Sequence, residues 1–454
     1  MSLPESCLNL MAMLDSPRLF DIPLAELRPL QVKAASDLYE DRRDKLPVLA
    51  QRGDDCGVKT VKSAADVVPL LFSHTTYKSY PESFVSNRRW DMLTRWFQTV
   101  STVPVQVDLT GVVTIDDWVD RMWSHGHYVY ATSGTMGKCS FLNHTKADRD
   151  FAERAFATYM GWPHVWPLDA PKRRYYQVFP FDGPQAPMHW FRTIARLYAR
   201  PDATFTMADE PIRVSQLNRA GAMRKAMSEN RVSSAEIAAF EAEAAERQER
   251  VNGNLRRMVA DMVEHRHEPM IINMGLQMSW VLKIARELGA KEGDFADVAI
   301  MGKPRKRGGN VGDLAEIEAD MMRFFQPKKD PGYYGMTELS TVMPQCEAKR
   351  YHLPPWIMLL LLDRNGNQLV EEGEGVAEGR AGFLDFSREG RWGGLITGDK
   401  LQVDFSPKCA CGRAGPGILE QISRFSDTGE DKVDCAGTFE AYVRGVISEP
   451  EEAF

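Results

Sequence analysis

Seven residues, Thr132-Ser133-Gly134-Thr135-Met136-Gly137-Lys138, bring three hydroxyls, two glycines and a lysine into one short run. A loop that wraps phosphate needs that mixture. Gly134 and Gly137 let successive backbone N–H groups point at one anion, the hydroxyls of Thr132, Ser133 and Thr135 add donors, and Lys138 adds a full positive charge. The run departs from the common GxxxxGK[ST] loop, because Cys139 follows the lysine where a magnesium-holding Ser or Thr would stand. An ordinary Ser/Gly turn is the competing reading.

Three later segments carry matching chemistry. Tyr333-Tyr334-Gly335-Met336-Thr337-Glu338 sets a hydroxyl beside a carboxylate, suited to a phosphate contact through Thr337 and a magnesium contact through Glu338, directly or by water. Leu395-Ile396-Thr397-Gly398-Asp399 puts an acid just beyond an expected strand and tight turn, where it can accept hydrogen bonds from both ribose hydroxyls; a turn aspartate is the plain alternative. Arg424-Phe425-Ser426-Asp427 follows one short element later.

A second group of residues has metal-ligand types. Cys346 and His352 are separated by five intervening residues, and Cys409-Ala410-Cys411 adds two sulfurs before Gly412-Arg413. Three thiolates and an imidazole would close a tetrahedral zinc site, structural because no position remains for water. Reduced, unligated thiols and a surface histidine are the alternative.

The elements that must position these groups follow from periodicity. Residues 21–44 read as an amphipathic helix, and a helix starts near Lys146. Ser233 to Glu236 forms a capping box that opens a long helix through 232–267. Tyr128 to Tyr130, Pro269 to Met274 and Asp297 to Met301 read as buried strands, with helices to Leu288 and from Leu314 to Phe325. That alternation implies a largely parallel sheet with ligands at its strand ends. After 355 short apolar runs separated by turns such as Asp363-Arg364-Asn365-Gly366 suggest a smaller β-rich lobe.

Composition narrows the function classes. A chain of 454 residues, 43% hydrophobic and 26% charged, can bury several cores. Its net charge of -7 argues against a nucleic-acid partner. Lys303 to Arg307 is a local basic run that reads as a solvated loop, with anion contact or a localisation signal as alternatives. The apolar run Trp356 to Leu362 is too short to span a membrane. Seven scattered cysteines and an N-terminus without a basic leader point to a reducing compartment, so the expected location is cytoplasmic.

Taken in order, the TSGTMGK, YYGMTE, TGD and RFSD segments resemble those of the adenylate-forming superfamily of acyl- and aryl-CoA ligases, luciferases and nonribosomal adenylation domains. Within it the chain is most similar to the phenylacetate-CoA ligase branch and the acyl-protein synthetases. The implied fold is α/β: a large N-terminal domain of mostly parallel sheets flanked by helices, plus a small β-rich lobe. The implied divisions are a helical collar and first α/β part over 1–120, a nucleotide- and acyl-binding core over 121–345, a β-rich lobe with the zinc site over 346–423, and a hinge remnant over 424–454.

By that resemblance Thr132 through Lys138 grip the outer phosphates of ATP, Thr337 the α-phosphate, Glu338 the magnesium ion, and Asp399 and Arg424 the ribose. Gly302 lies in the adenine loop, and Tyr334 and Gly335 belong to the nucleotide site. His189 and Trp190 match the position facing the acyl group, and Met274 and Gly275 a pocket-lining strand and turn; for His189 a structural role fits equally. The branch has a similar Cys and His pair and a Cys-x-Cys-Gly-Arg segment, which favours zinc. The implied reaction joins a small carboxylic acid to AMP and passes the acyl group to a thiol such as CoA.

The pattern breaks after the RFSD segment. Relatives continue with a C-terminal lid domain whose lysine assists adenylation, and here the last lysine is Lys432. The expectation is therefore a chain lacking that lid. It leaves open transfer to a carrier or partner protein or an amine, a partner that supplies the lobe, and a catalytically weak nucleotide- or acyl-binding relative.

Overall fold

The computed structural model describes residues 3–73, 75–132, 138–159, 162–163, 170–208, 210–229, 231–275, 277–301, 314–327 and 332–425. The chain forms two compact units, one from 1–158 with 334–454 and one from 159–333.

The 159–333 unit is built on a four-stranded parallel sheet ordered Ala199–Thr206, Arg173–Gln177, Met270–Asn273, Val298–Met301. Met270–Asn273 and Val298–Met301 are buried throughout, so both read in sequence as unbroken apolar runs rather than as alternation. The helix Ser234–Glu264 starts at the expected capping box, with the Glu236 backbone N–H donating to the Ser233 hydroxyl and the Glu236 carboxylate accepting from the Ser233 N–H. Only its C-terminal part enters the core, where Leu255, Met258, Val259 and Met262 pack with Met270, Ile272, Met278 and Phe324. Arg174 ties sheet to helix: its guanidinium donates to both oxygens of Asp261 at 2.6 and 2.8 Å and to the Tyr176 phenol at 2.9 Å. Helices Met278–Glu287 and Leu314–Phe325 lie where the sequence predicts them.

The other unit holds a seven-stranded sheet whose main path is Arg350–His352, Gly417–Leu419, Gly394–Asp404, Val376–Asp385, Ile357–Leu362. Its pairings are antiparallel except for Phe72–Ser73, which runs parallel to the start of Gly394–Asp404. The parallel arrangement expected from strand–helix alternation thus belongs to the 159–333 unit. The helix Leu24–Arg43 appears as predicted and is bound to this sheet by Gln31, which donates to the carbonyls of Pro355 and Ile357 at 3.0 and 3.3 Å.

Two local expectations shift. The strand before the phosphate loop is Tyr130–Ala131 rather than 128–130, because its pairing is set by Phe141–Leu142 in an antiparallel hairpin. Asp399 does not follow a strand; it lies inside the continuous strand Gly394–Asp404. The turn-like Thr397-Gly398-Asp399 is a bulge. Gly382 pairs with Ile396 and Arg380 with Lys400, so three residues of one strand stand against Ala381 alone. The Thr397 hydroxyl bonds the Ala381 carbonyl at 3.0 Å, and Arg380 donates to the Thr397 carbonyl at 3.0 Å.

The pairing of Val376–Asp385 with this strand leaves no room for a side chain at Gly393, where a Cβ would lie 2.0 Å from the Asp385 carbonyl oxygen. Gly393→Ala is expected to lower the urea-unfolding stability by roughly 3 kcal/mol or more. Gly373→Ala, with nothing within 4 Å of the new Cβ, should stay within about 0.5 kcal/mol of the parent. Equal midpoints for the two would refute the register.

Candidate active site

The bulge and the chain end of the sheet bring two predicted segments together. Ser423–Arg424 pairs antiparallel with Gly394–Asp404, setting Arg424 directly opposite Asp399. The Arg424 Nε donates to Asp399 Oδ1 at 3.1 Å, and the Tyr334 phenol donates to Oδ2 at 2.7 Å. The Asp399 N–H donates to the Thr397 hydroxyl at 3.1 Å, which fixes the bulge from within. Three predicted site residues, Tyr334, Asp399 and Arg424, therefore share one carboxylate. The Phe425 ring lies 4.1 Å from the Arg380 guanidinium, which supports the bulge from below.

Gly335 follows Tyr334 because the chain runs against Val342: a Cβ there would sit 2.7 Å from the Val342 side chain. Thr337 and Glu338 come next, both half-buried. Burial pushes the Glu338 carboxyl above its ordinary value, while the nearby Arg391 charge pulls it down. Arg391 is fully buried, donates to the Glu338 carbonyl, and donates to its neighbour's carbonyl at Trp392 at 3.1 Å. Its Nε and the hydroxyls of Ser340 and Thr341 are buried with no hydrogen-bond partner among the described residues. Arg391 was not singled out from sequence; an arginine eight residues before Asp399 carries no local signal of burial.

Of the expected phosphate loop, Thr132 and Lys138 lie within the described residues, whereas Ser133, Gly134, Thr135 and Gly137 do not; Gly302 of the expected adenine loop is also outside them. Thr132 and Lys138 stand at the two ends of the hairpin loop between Tyr130–Ala131 and Phe141–Leu142. The Thr132 N–H donates to the Ser140 carbonyl at 3.2 Å. The Lys138 ammonium donates to the Tyr80 carbonyl and lies 4.3 Å from the centre of the Tyr80 ring.

The residues expected against the acyl group belong to the 159–333 unit. His189 is half-buried and Trp190 buried, both on the helix Ala186–Tyr198. Met274 is buried in the core beside Met278, and Gly275 follows it after the strand Met270–Asn273. At the carboxyl ends of the parallel strands sits a buried polar group missed in the sequence. The Tyr175 phenol donates to Gln177 Oε1 at 2.8 Å, and the Asn273 amide donates to that phenol at 3.2 Å. Carboxyl ends of parallel strands are where such sheets take ligands.

The four metal-type residues do converge. Their ligand atoms all lie within 4.8 Å of one another. The Cys346 and Cys409 sulfurs are 3.9 Å apart, and Cys411 Sγ is 3.6 Å from His352 Nε2. A tetrahedron with zinc–sulfur arms of about 2.3 Å and a zinc–nitrogen arm of about 2.0 Å has edges of roughly 3.8 and 3.5 Å. Two turns of the same design present them. Cys346 N–H donates to the Arg350 carbonyl and Cys409 N–H to the Arg413 carbonyl, each at 2.8 Å, with positive φ at Lys349 (58°) and Gly412 (89°). Burial holds the His352 imidazole down at about 4, so its lone pair is available at neutral pH. Burial raises the thiols of Cys346 and, to about 12, Cys409. At Cys411 burial acts against ionisation, but the Arg413 N–H and guanidinium and the two neighbouring thiols together hold its thiol below the ordinary value. Cys411 thus ionises more readily than its two neighbours, and a divalent cation would offset the cost of ionising Cys346 and Cys409.

No protein-family model matches the chain. No curated protein sequence matches it either. Among solved structures, it is similar to the 2-hydroxyisobutyryl-CoA ligase, in an open conformation in complex with 2-HIB-AMP and CoA, at 14% identity and a TM-score of 0.55; the alignment covers 90% of this chain and 78% of that one. The chain shares the fold of that ligase. The mixture of a parallel sheet and an antiparallel lobe described above is that fold's α/β architecture. No helix among the described residues is long and apolar enough to cross a membrane.

If the Cys/His cluster is a zinc site, elemental analysis of the purified protein will find about one zinc ion per chain, with Cys409→Ser and His352→Ala falling well below that. Because the thiols of Cys346 and Cys409 must lose protons to bind, zinc release to a colorimetric chelator should become faster as pH falls. Metal content unchanged in both variants would exclude these ligands.

Proposed function

We propose that this chain uses ATP and magnesium to convert a carboxylic acid to an acyl-adenylate, and then passes the acyl group to a thiol such as CoA. One observation carries the reading furthest: Asp399, Arg424 and Tyr334 meet on one carboxylate in a strand bulge, in a chain with the fold of a ligase solved with 2-HIB-AMP and CoA.

The chemistry asks little of side chains as nucleophiles. A carboxylate oxygen of the acid attacks the α-phosphorus, the bond to the bridging oxygen breaks, and pyrophosphate leaves with the electron pair. A thiolate sulfur then attacks the acyl carbon and AMP departs. The protein must hold two anions together and balance charge as it moves to the leaving pyrophosphate. Lys138 supplies positive charge at the loop, and Arg391 supplies buried positive charge behind Glu338. Asp399 accepts hydrogen bonds from the ribose hydroxyls, and Thr337 donates to the α-phosphate.

Glu338 suits a magnesium ion because it is half-buried near the Arg391 charge, which offsets part of the burial that raises its carboxyl, and is followed by the Ser340 and Thr341 hydroxyls, which have no hydrogen-bond partner among the described residues. A bound magnesium ion would neutralise phosphate charge there. The Cys/His cluster suits structural zinc, and with it the phenylacetate-CoA ligase branch is the favoured assignment. His189, Trp190, Met274 and Gly275 are the residues assigned to the acid, whose own identity they do not define.

ATP–pyrophosphate exchange with a panel of aryl and aliphatic acids is the direct test. Exchange that depends on one class of acid is expected, with Asp399→Ala raising the KM for ATP by about 30-fold through loss of a charged hydrogen-bond acceptor. Lys138→Ala should lower kcat for exchange by about 100-fold through loss of charge at the leaving pyrophosphate. Nucleotide binding without exchange for any acid would favour a binding protein over a ligase.

A further inference from the structure

The cation of the phosphate loop does not stand alone, and what holds it lies 58 residues away in the chain. Tyr80 is 1% exposed. Its ring stacks on Phe141 at 5.3 Å and meets Trp96 edge-on at 4.8 Å, so the side chain has no room to turn. From that fixed place it reaches the end of the loop three ways. The ring presents its face to the Lys138 ammonium, the Tyr80 carbonyl accepts from the same ammonium, and the phenol donates to the Cys139 carbonyl at 2.8 Å.

We infer that Tyr80 is a positioning residue for nucleotide phosphate: it fixes the Lys138 ammonium at the loop's end before the phosphates arrive. The inference rests on the adenylation reading above. A free lysine side chain loses about 2 kcal/mol of rotamer freedom when it is fixed. Held over an aromatic face it has already lost much of that freedom, and the hold is weak enough to yield when an anion approaches. The phenol-to-Cys139 bond serves the same end, because it fixes the backbone from which the lysine extends. Thr132 at the other end of the loop is fixed by the hairpin pairing.

The test separates ring electronics from packing. Phenylalanines carrying increasing numbers of fluorines, incorporated at position 80, keep the ring's shape while weakening its attraction for a cation. In the ligand-free protein, the rate of amine labelling at Lys138, read by mass spectrometry, should rise stepwise along the fluorinated series from Tyr80→Phe as its starting point. The equilibrium Kd for ATP should rise in step, by about fivefold at the end of the series. In a Lys138→Ala background the same series should leave the Kd for ATP within about twofold, which a merely structural role for Tyr80 would not predict. Tyr80→Leu adds a ring-free point where it folds.

A flat labelling series overturns the inference even if the parent binds ATP. A Kd series that persists unchanged in Lys138→Ala overturns it too, because the effect would then bypass the lysine. A parent that binds no ATP refutes the adenylation reading and removes the nucleotide role of Tyr80 with it, while the labelling series still reports whether the ring holds the ammonium.

Discussion

Backbone pairing along Gly394–Asp404 is the constraint from which the rest of its unit hangs. That strand hydrogen-bonds to Phe72–Ser73, Val376–Asp385, Gly417–Leu419 and Ser423–Arg424. Its bulge inserts two residues more than its neighbour supplies. Because strand side chains alternate with a period of two, an even insertion leaves the phase intact, so Leu401 and Val403 remain on the buried side beyond it. A single extra residue would have turned them outward. The strand can therefore lift Asp399 out of regular pairing at Thr397 and still keep a core on both sides of the interruption.

Buried charge then fixes the loop that carries Glu338. Asp385 is fully buried and accepts hydrogen bonds from the Ser340 N–H at 2.6 Å, from Ser387, and from Arg388. Arg391, three residues on, donates back to the Glu338 carbonyl. Asp148 completes the frame from another element by accepting the N–H groups of Glu389 and Gly390 at 2.7 and 3.0 Å. Buried ion pairs of this kind seldom stabilise a fold more than apolar residues would, since desolvation offsets most of the attraction. What they supply here is position: the backbone two residues beyond Glu338 and the Glu338 carbonyl itself are bound to the same short segment.

How much of this could be read from the sequence depends on the range of the interaction. The long helix from Ser234 was legible because its cap is local, made by Ser233 and Glu236. The strands Met270–Asn273 and Val298–Met301 were legible because burial on both faces leaves an apolar run. That Asp399, Arg424 and Tyr334 belong together was legible from their chemical types in order, and that the cysteines cluster with His352 from their ligand types. The bulge was not, because it exists only in register with Val376–Asp385. Tyr130–Ala131 was misplaced for the same reason, its partner lying beyond the loop. Tyr80 and Arg391 were invisible: neither has a motif, and each acts through a backbone carbonyl far away in sequence.

These distances sort the site's cations into two kinds. Arg391 is buried and held by carbonyls, so removing it would leave Glu338 facing a low-dielectric environment with its nearest favourable charge gone. Arg424 is different: its side chain is 63% exposed, and an ion pair so open to water adds about 1 kcal/mol at most to stability. Lys138 has a ring face and a neutral carbonyl among its partners, and a phosphate can replace both. The proposed adenylation, in which a polyanion would bind and leave in each cycle, calls for both kinds. There, the buried Arg391 charge offsets part of the burial cost at Glu338, while charge held at a ring face can move to phosphate and return when the product leaves. On that proposal the tasks divide between Arg391 on one side and Lys138 with Arg424 on the other, and the strength of each cation's resting contact matches what it would do with the nucleotide bound.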